Sequence, residues 1–174
     1  MNLLRNMVSR ATVAMTNAAA KMQALQLRLY AGEVRDAVEH FENYGITVRP
    51  LNGAEAVVLS VGGDRSSSVA ICVADRRYRP TDLAPGEVCI YTHEGDRITL
   101  RNGRKIEVET LRLVANAENS TTINSPSMSL NGDVAISGHL DVGAGAAVEG
   151  PLTNNGVSVG SGHTHKNDGK GTPV

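Results

Sequence analysis

Tryptophan is absent from this sequence of 174 residues, and only five residues are aromatic. All five lie before residue 92, so the last 83 residues contain no aromatic side chain. Aromatic side chains bury the largest area per residue and dominate the cores of ordinary globular domains. The two halves of the chain therefore cannot be stabilised in the same way.

The sequence also lacks an excess of positive charge and any long apolar run. Its formal net charge is −1 at pH 7 and its pI is about 6.5, which argues against a nucleic-acid partner or an anionic membrane surface. No stretch approaches 18 apolar residues, and the first ten residues lack the apolar centre of a signal peptide. We expect a protein that is made soluble and has no transmembrane helix.

Motifs of the common hydrolases and of nucleotide-binding enzymes are missing as well. Glu107 and Glu109 lie on the solvated face of an alternating strand, and His93 beside Glu94 lies in a predicted turn. A glycosidase needs two carboxylates that face one cleft, and no such arrangement is indicated. We expect no catalytic residues and no enzymatic activity.

Two cysteines are present, Cys72 and Cys89, each inside an apolar run rich in β-branched residues. Free cysteine behaves as a small hydrophobic side chain, and cytoplasmic proteins keep their thiols reduced. We therefore expect two buried thiols in a cytoplasmic fold.

The N-terminal half shows the periodicity of one short helix followed by many strands. MNLLRNMVSRA has apolar residues at helical spacing and predicts an amphipathic helix over residues 1–11. About five strand patterns follow over residues 10–75, and in one of them Leu25, Leu27 and Leu29 share a face. Five short strands suit a small barrel, with an OB-type barrel as first choice and an SH3-like barrel as second. Three more strands are predicted up to residue 110, separated by the turns HEGD and RNGR.

A six-residue repeat begins at Met128 and reads MSLNGD, VAISGH, LDVGAG, AAVEGP, LTNNGV, SVGSGH. Glycine occupies positions 132, 138, 150, 156 and 162, with Ala144 at the interrupted step. Two apolar residues at i and i+2 face one side of a short strand, and the glycine then turns the chain. One such rung buries almost no area alone, so the rungs must stack.

Such rungs can be stacked by a solenoid made of one chain or by several chains wound around one axis. A solenoid with about 18 residues per turn would complete fewer than about three turns over residues 111–160, which is near the minimum for a repeat array. Three chains winding together share one apolar axis and leave no exposed strand edge. The sequence therefore predicts an intertwined homotrimeric β-helix over residues 111–160.

Two histidines, His163 and His165, follow the last glycine of the repeat. Residues at i and i+2 project to one face of an extended segment, so six imidazoles of a trimer would converge where the shaft ends. Imidazole binds iron, nickel, copper and zinc, and six nitrogens match iron or nickel better because zinc normally takes four ligands. We predict a metal site formed by these histidines, whereas His139 is expected to face solvent.

Four stretches carry a family resemblance: GEVRDAVEHFENYG, GAEAVVLSVGGDRSSSVAI, DRRYRPTDLAPGEVCIYTHEGDRITLRNGRKIEVET and the terminal H-T-H. They resemble the baseplate assembly protein V family of phage Mu, whose members are the central tail spikes of contractile-tailed phages. The resemblance implies an all-β protein with an N-terminal OB-fold domain, a homotrimeric β-helix and a pointed apex. At that apex His163 and His165 of three chains would hold iron. Calcium and chloride near the apex are also implied, with no ligand residue assigned here.

The patterns and the resemblance together divide the chain into four parts. These are an N-terminal helix and OB-fold domain over 1–87, connecting strands over 88–110, the trimeric shaft over 111–160 and the apex over 161–174. The implied function is to puncture the host outer membrane when the tail sheath contracts, with a baseplate hub protein as partner. The implied location is the virion tail baseplate, after assembly in the host cytoplasm.

Two other classes of function compete with this one. A receptor-binding tail fibre or adhesin usually presents aromatic and polar side chains on a broad head, whereas this chain ends in Gly, Ser, His and Lys. A hydrolase acting on the envelope would need the carboxylate arrangement that is missing. The adhesin is the alternative to the puncturing spike.

Overall fold

The computed structural model describes residues 7–160, and within this range the regular structure is β apart from two single 3₁₀ turns at Tyr30–Gly32 and Val61–Gly63. Contacts divide the chain into two units, with the boundary between Asn116 and Ala117. No helix among the described residues is long and apolar enough to cross a membrane. The strands in chain order are β1 (Val8–Asn17), β2 (Ala24–Arg28), β3 (Val34–His40), β4 (Glu55–Ser60), β5 (Ser68–Ala74), β6 (Val88–Tyr91), β7 (Arg97–Arg101), β8 (Lys105–Glu109), β9 (Thr153–Asn154) and β10 (Val157–Ser158).

The first five strands close into a barrel in the order β1-β2-β3-β5-β4, and β4 pairs back to β1. Neighbouring strands are antiparallel except β3 and β5, which run parallel and pair His40 with Ala70. This order with its parallel pair is that of an OB-type barrel, a five-stranded Greek-key design. The barrel predicted over residues 10–75 is confirmed, since its strands span Val8 to Ala74.

The barrel core consists of small and medium aliphatic side chains. Leu25 and Leu27 are fully buried and Leu29 packs against the same cluster, which confirms the face predicted from their alternation. Phe41 and Tyr44 remain exposed, so the barrel is stabilised without an aromatic core residue. The buried apolar set is Ala11, Val13, Leu25, Leu27, Val38, Ala54, Ala56, Val58 and Ala70.

The helix predicted over residues 1–11 is wrong where the structure describes it. Strand β1 begins at Val8 and pairs with β4 from Val8–Leu59 to Thr12–Glu55. The period-two burial of Ala11 and Val13 completes the barrel core. A short local pattern is a weak prior that tertiary pairing overrides, and that has happened here. Residues 1–6 lie outside the described residues.

Burial of both thiols was also predicted wrongly. The two cysteines are free, but Cys72 is exposed and Cys89 is partly exposed. The register of β5 against β4 shifts between the pairs Val57–Cys72 and Val58–Ala70. A bulge adds one unpaired residue and re-aims its neighbours, so Ala70 faces the core while both Ile71 and Cys72 are exposed.

Strands β6, β7 and β8 form a separate antiparallel sheet in that order. The backbone amide of Thr92 donates to the carbonyl of Asp96 across the first turn at 2.9 Å. The second turn places Gly103 and Arg104 at positive φ, as a tight hairpin requires. Three strands separated by HEGD and RNGR are thus confirmed, while the four-part division of the chain stays a prediction.

Replacing Leu27 with Ala tests the barrel core. Leu27 is fully buried, and a buried Leu→Ala change typically costs about 2–5 kcal/mol of unfolding free energy. The control is Met15→Ala in β1, because Met15 is exposed and should change stability by less than about 0.5 kcal/mol. Thermal or urea unfolding followed by circular dichroism gives both values. Equal losses in the two variants would contradict the assigned core.

Candidate functional site

The predicted metal ligands His163 and His165 lie outside the described residues. Within residues 7–160, no group of three or more His, Cys, Asp or Glu side chains could hold a metal ion. His139 is exposed, as predicted. The part of the repeat that the structure does describe is therefore the candidate functional segment, together with the β6–β8 sheet that precedes it.

The backbone of the repeat segment bends at intervals of six residues, which we call the six-residue beat. The backbone bends at residues 126, 132, 138, 144 and 150, and a turn follows at 155–156. These positions include the predicted glycines and the interrupted step at Ala144. The predicted turning of the chain at these steps is therefore observed, whereas the short strands of the rungs before Thr153 stay a prediction.

Two glycines of the repeat have nearly the same unusual backbone angle. Gly132 has φ of 140° and Gly150 has φ of 137°, a region that only glycine enters without strain. They are 18 residues apart, which is three repeats. The backbone thus returns to the same local geometry after three extended runs.

The apolar side chains of the repeat are not buried within the chain. Val134, Ile136, Leu140 and Val142 are 50–62% exposed. From Leu111 to Pro151, the described chain forms no strand and makes no backbone–backbone hydrogen bond. Exposed apolar side chains at regular spacing along an extended segment mark a candidate interaction surface.

The last described part of the repeat forms a small hairpin. Strands β9 and β10 pair Asn154 with Val157, and the turn places Asn155 and Gly156 at positive φ. Asn-Gly is the preferred pair for such a two-residue turn. The amide of Val159 also donates to the carbonyl of Leu152 at 2.9 Å, so here the six-residue beat coincides with a hairpin within one chain.

Ion pairs organise the polar face of the β6–β8 sheet. Arg97 contacts Glu109 on the neighbouring strand, and its Nη1 lies 2.8 Å from a carboxylate oxygen of Asp82. Arg101 lies between Glu107, at 2.7 Å, and Glu87, at 3.0 Å. The sequence analysis treated Glu107 and Glu109 only as solvated acids. Arg97 directly opposite Glu109, and Arg101 diagonally across from Glu107, could have indicated these cross-strand pairs.

These contacts shift the pKa values of the groups involved. Hydrogen bonds from Lys105 and Arg101 lower the pKa of Glu107 to about 2. Hydrogen bonds from the backbone amides of Ala84 and Asn102, and then from Arg101, lower the pKa of Glu87. The carboxylates hold the pKa values of both arginines above their ordinary value. The polar face is therefore stabilised by groups that stay charged at neutral pH.

Comparison with known proteins identifies the family. The sequence model of the protein family described as Bacteriophage Mu Gp45, N-terminal, matches residues 10–77, which correspond to the barrel. The baseplate puncturing device gp45 of Escherichia phage Mu is 38% identical over 177 residues, covering 99% of this chain and 89% of that protein. The chain belongs to the Mu gp45 family. The Mu-like prophage FluMu protein gp45 of Haemophilus influenzae is 42% identical over 142 residues, covering 78% of this chain and 77% of its own length.

The match to the Mu gp45 family is not limited to the barrel. Because the similarity to the phage Mu protein covers 99% of this chain, it includes the β6–β8 sheet and the six-residue repeat. The segment with exposed apolar side chains therefore lies within the region of similarity to the phage Mu protein.

The lowered pKa of Glu107 predicts a loss of stability in acid. Its folded pKa of about 2 lies below the ordinary value of 4.5, so its stabilising contribution is present above pH 4.5 and is lost as pH falls towards 2. The thermal midpoint of the wild type should therefore fall between pH 5 and pH 2.5. In Glu107→Gln it should start lower and fall less. The control Glu118→Gln, in the extended segment, should follow the wild type, and an equal fall in Glu107→Gln would contradict the assignment.

Proposed function

We propose that this chain is the central spike of a contractile phage tail baseplate, a non-enzymatic device that punctures the host outer membrane. The observation that carries the proposal is the six-residue beat of bends in a segment whose apolar side chains are exposed. The relative that matches nearly the whole chain is named a baseplate puncturing device. That name favours puncture over the receptor-binding fibre or adhesin.

A trimer is the assembly that best satisfies the repeat. Three chains wound around one axis would turn the apolar pair of each rung inward and would pair the backbone groups that one chain leaves unsatisfied. Gly132 and Gly150 have nearly the same φ and are 18 residues apart. This spacing fits a chain that winds around a shaft with three sides and covers one side per six-residue repeat. In such a shaft each chain covers one face per repeat and regains its orientation after three repeats.

A shaft of this kind can cross a membrane without a transmembrane helix. Apolar side chains at i and i+2 would point to the axis, while Asp133 and Asp141 would point outward. Such an exterior does not partition into lipid, so the energy for entry has to come from contraction of the tail sheath. The barrel end would face the hub protein of the baseplate, within the virion tail.

The apex of the spike is proposed to bind iron. His163 and His165 are i and i+2 and follow Gly162, the next glycine on the six-residue beat. Three chains would bring six imidazoles together, a ligand set that leaves no open coordination position and suits a structural ion. The ion would fix three chain ends that have no apolar core. Calcium and chloride stay a prediction of the family resemblance, without assigned residues.

Replacing Ile136 with Asp tests the shaft. The wild type should sediment as a trimer of about 55 kDa, three times 18.3 kDa. Three aspartates on a dry axis cost several kcal/mol per ion, so the shaft should open. Limited proteolysis with mass spectrometry should then show cleavage within residues 111–160, while the barrel stays intact.

The matched control for the shaft is Ala135→Asp, which places the same charge on the other side of the same rung. It should resist the protease as the wild type does. Cleavage of both variants at equal rates would show that Ile136 does not face the axis. A wild type that stays monomeric at micromolar concentration would overturn the trimeric spike altogether.

Replacing both His163 and His165 with Ala tests the apex. Elemental analysis of freshly purified wild type should give one transition metal ion, expected to be iron, for every three chains, and the double variant should contain none. The control His139→Ala should keep the metal. Since imidazole must be neutral to ligate, the wild type should lose its metal as pH falls below about 6.5. Metal retained in the double variant, or one ion per chain, would refute the site.

A further inference from the structure

One face of the β6–β8 sheet consists entirely of aliphatic side chains. The register aligns them in two rows across the three strands. Each is 43–68% exposed, and within the described residues nothing covers them. The first row is Val88, Leu100 and Ile106, and the second is Ile90, Ile98 and Val108.

The opposite, polar face is the one that the chain itself covers. Thr99 at its centre is fully buried, and the Glu87 side chain is only 8% exposed. The segment that leads into β6 lies against this face, where Asp82 binds Arg97 and the amide of Ala84 donates to Glu87 at 3.0 Å. A sheet with one solvated face normally buries its apolar side and exposes its polar side. This sheet does the reverse.

The inversion means that a single chain does not complete the sheet. The contacts of Asp82 with Arg97 and Arg101, and the hydrogen bond from the Ala84 amide to Glu87, would be lost if the sheet turned over. The polar face is therefore fixed in its covered position, and the six aliphatic side chains stay outside. Soluble proteins rarely expose contiguous apolar patches beyond a few hundred Å² unless the patch is an interaction surface.

We propose that the apolar face of this sheet docks against the same face of two further copies of the chain and thereby sets the register of the trimer. The inference rests on the trimeric spike proposed above. It adds that the sheet holds the three chains together independently of the shaft, and that it aligns them at the start of the shaft.

Copies of the same chain match the chemistry of this face. It carries no charged or hydrogen-bonding side chain, so a partner must be apolar as well, since a buried charge or polar group would be left without a partner. The same face of another copy meets this requirement and is present at equal concentration. Most soluble oligomers are also closed, symmetric assemblies of one chain.

The position of the sheet in the chain supports the same occupant. Strand β8 ends at Glu109, and Leu111, the first apolar residue of the extended segment, lies two residues later. Three sheets gathered around one axis would deliver three chains side by side where the shaft begins.

Register is the function that the sheet can supply and the shaft cannot. The rungs from Met128 onward are alike, so one chain can slip by six residues against its neighbours and still place apolar side chains on the axis. The β6–β8 sheet is not repetitive, because its two apolar rows differ in side-chain shape. Docking of three such sheets therefore admits one alignment, and the rungs follow from it.

The test uses the full chain with Ile106→Glu and the control Lys105→Gln. These neighbours on β8 are similarly exposed in one chain, at 68% for Ile106 and 65% for the Lys105 side chain, but they lie on opposite faces. Both variants change the charge by one unit in the same direction, so charge alone would affect them equally, and the glutamine amide can still donate a hydrogen bond to Glu107. Ile106→Glu should weaken trimer association at least 100-fold in sedimentation equilibrium. Lys105→Gln should weaken it less than threefold.

A milder variant and the shaft variant complete the experiment. Ile106→Ala removes apolar volume without adding a charge and should weaken the trimer about tenfold, so the conclusion does not depend on the glutamate. Ile136→Asp should remain trimeric through the sheet although its shaft is open to protease. Barrel unfolding monitored by circular dichroism should be unchanged in all of these variants.

Each outcome decides between the proposals. An Ile106→Glu protein as trimeric as the wild type would overturn the role of the sheet and leave the trimeric spike standing; residues 1–6, residues 161–174 or the hub would then be the cover. An Ile136→Asp protein that becomes monomeric would show that the shaft holds the chains and would also overturn the proposal. A monomeric wild type would instead refute the spike itself.

Discussion

The apolar side chains of the repeat cannot be buried by the chain that carries them. Each rung is a few residues long and presents two aliphatic groups to one side, and Val134 and Ile136 remain about half exposed. A run this narrow has no second layer of its own chain to pack against, which every stable domain needs. A narrow shaft shared by several chains would account for the other features of the C-terminal half. These are its regularly spaced glycines, its few charged residues and its lack of aromatic residues.

The barrel is built on the opposite principle. Its five strands close on themselves, so the backbone groups are paired and the aliphatic core is complete within one chain. The β6–β8 sheet stands between the two cases, because it pairs its strands internally but covers only its polar face. The chain therefore passes from a part that buries its own core, through a half-covered sheet, to a segment whose apolar side chains are not covered within one chain.

This gradation suits a puncturing device. In the proposed trimer, the barrel could be held by the baseplate without depending on the shaft, and a shaft with its apolar groups on the axis would present a polar exterior. The charged groups of the β6–β8 sheet are kept ionised by their partners, as the pKa of about 2 for Glu107 indicates. The contacts of Asp82 with Arg97 and Arg101 determine which face of the sheet is covered, and they leave Ile98 and its neighbours exposed.

The sequence by itself determined the strands, the beat and the family. Alternation gave Leu25 and Leu27 their buried face, and the glycines predicted bends that occur at residues 132, 138 and 150, because period and turn chemistry are local properties. Tertiary structure decided the rest. Residues predicted as an N-terminal helix form β1 because they pair with the edge of β4. A bulge turns Cys72 outward. Asp82 and Glu87 determine which side of the β6–β8 sheet is covered. Local patterns carry no information on which distant segment will pack against a face, and so they could not show that the polar face of that sheet is the covered one.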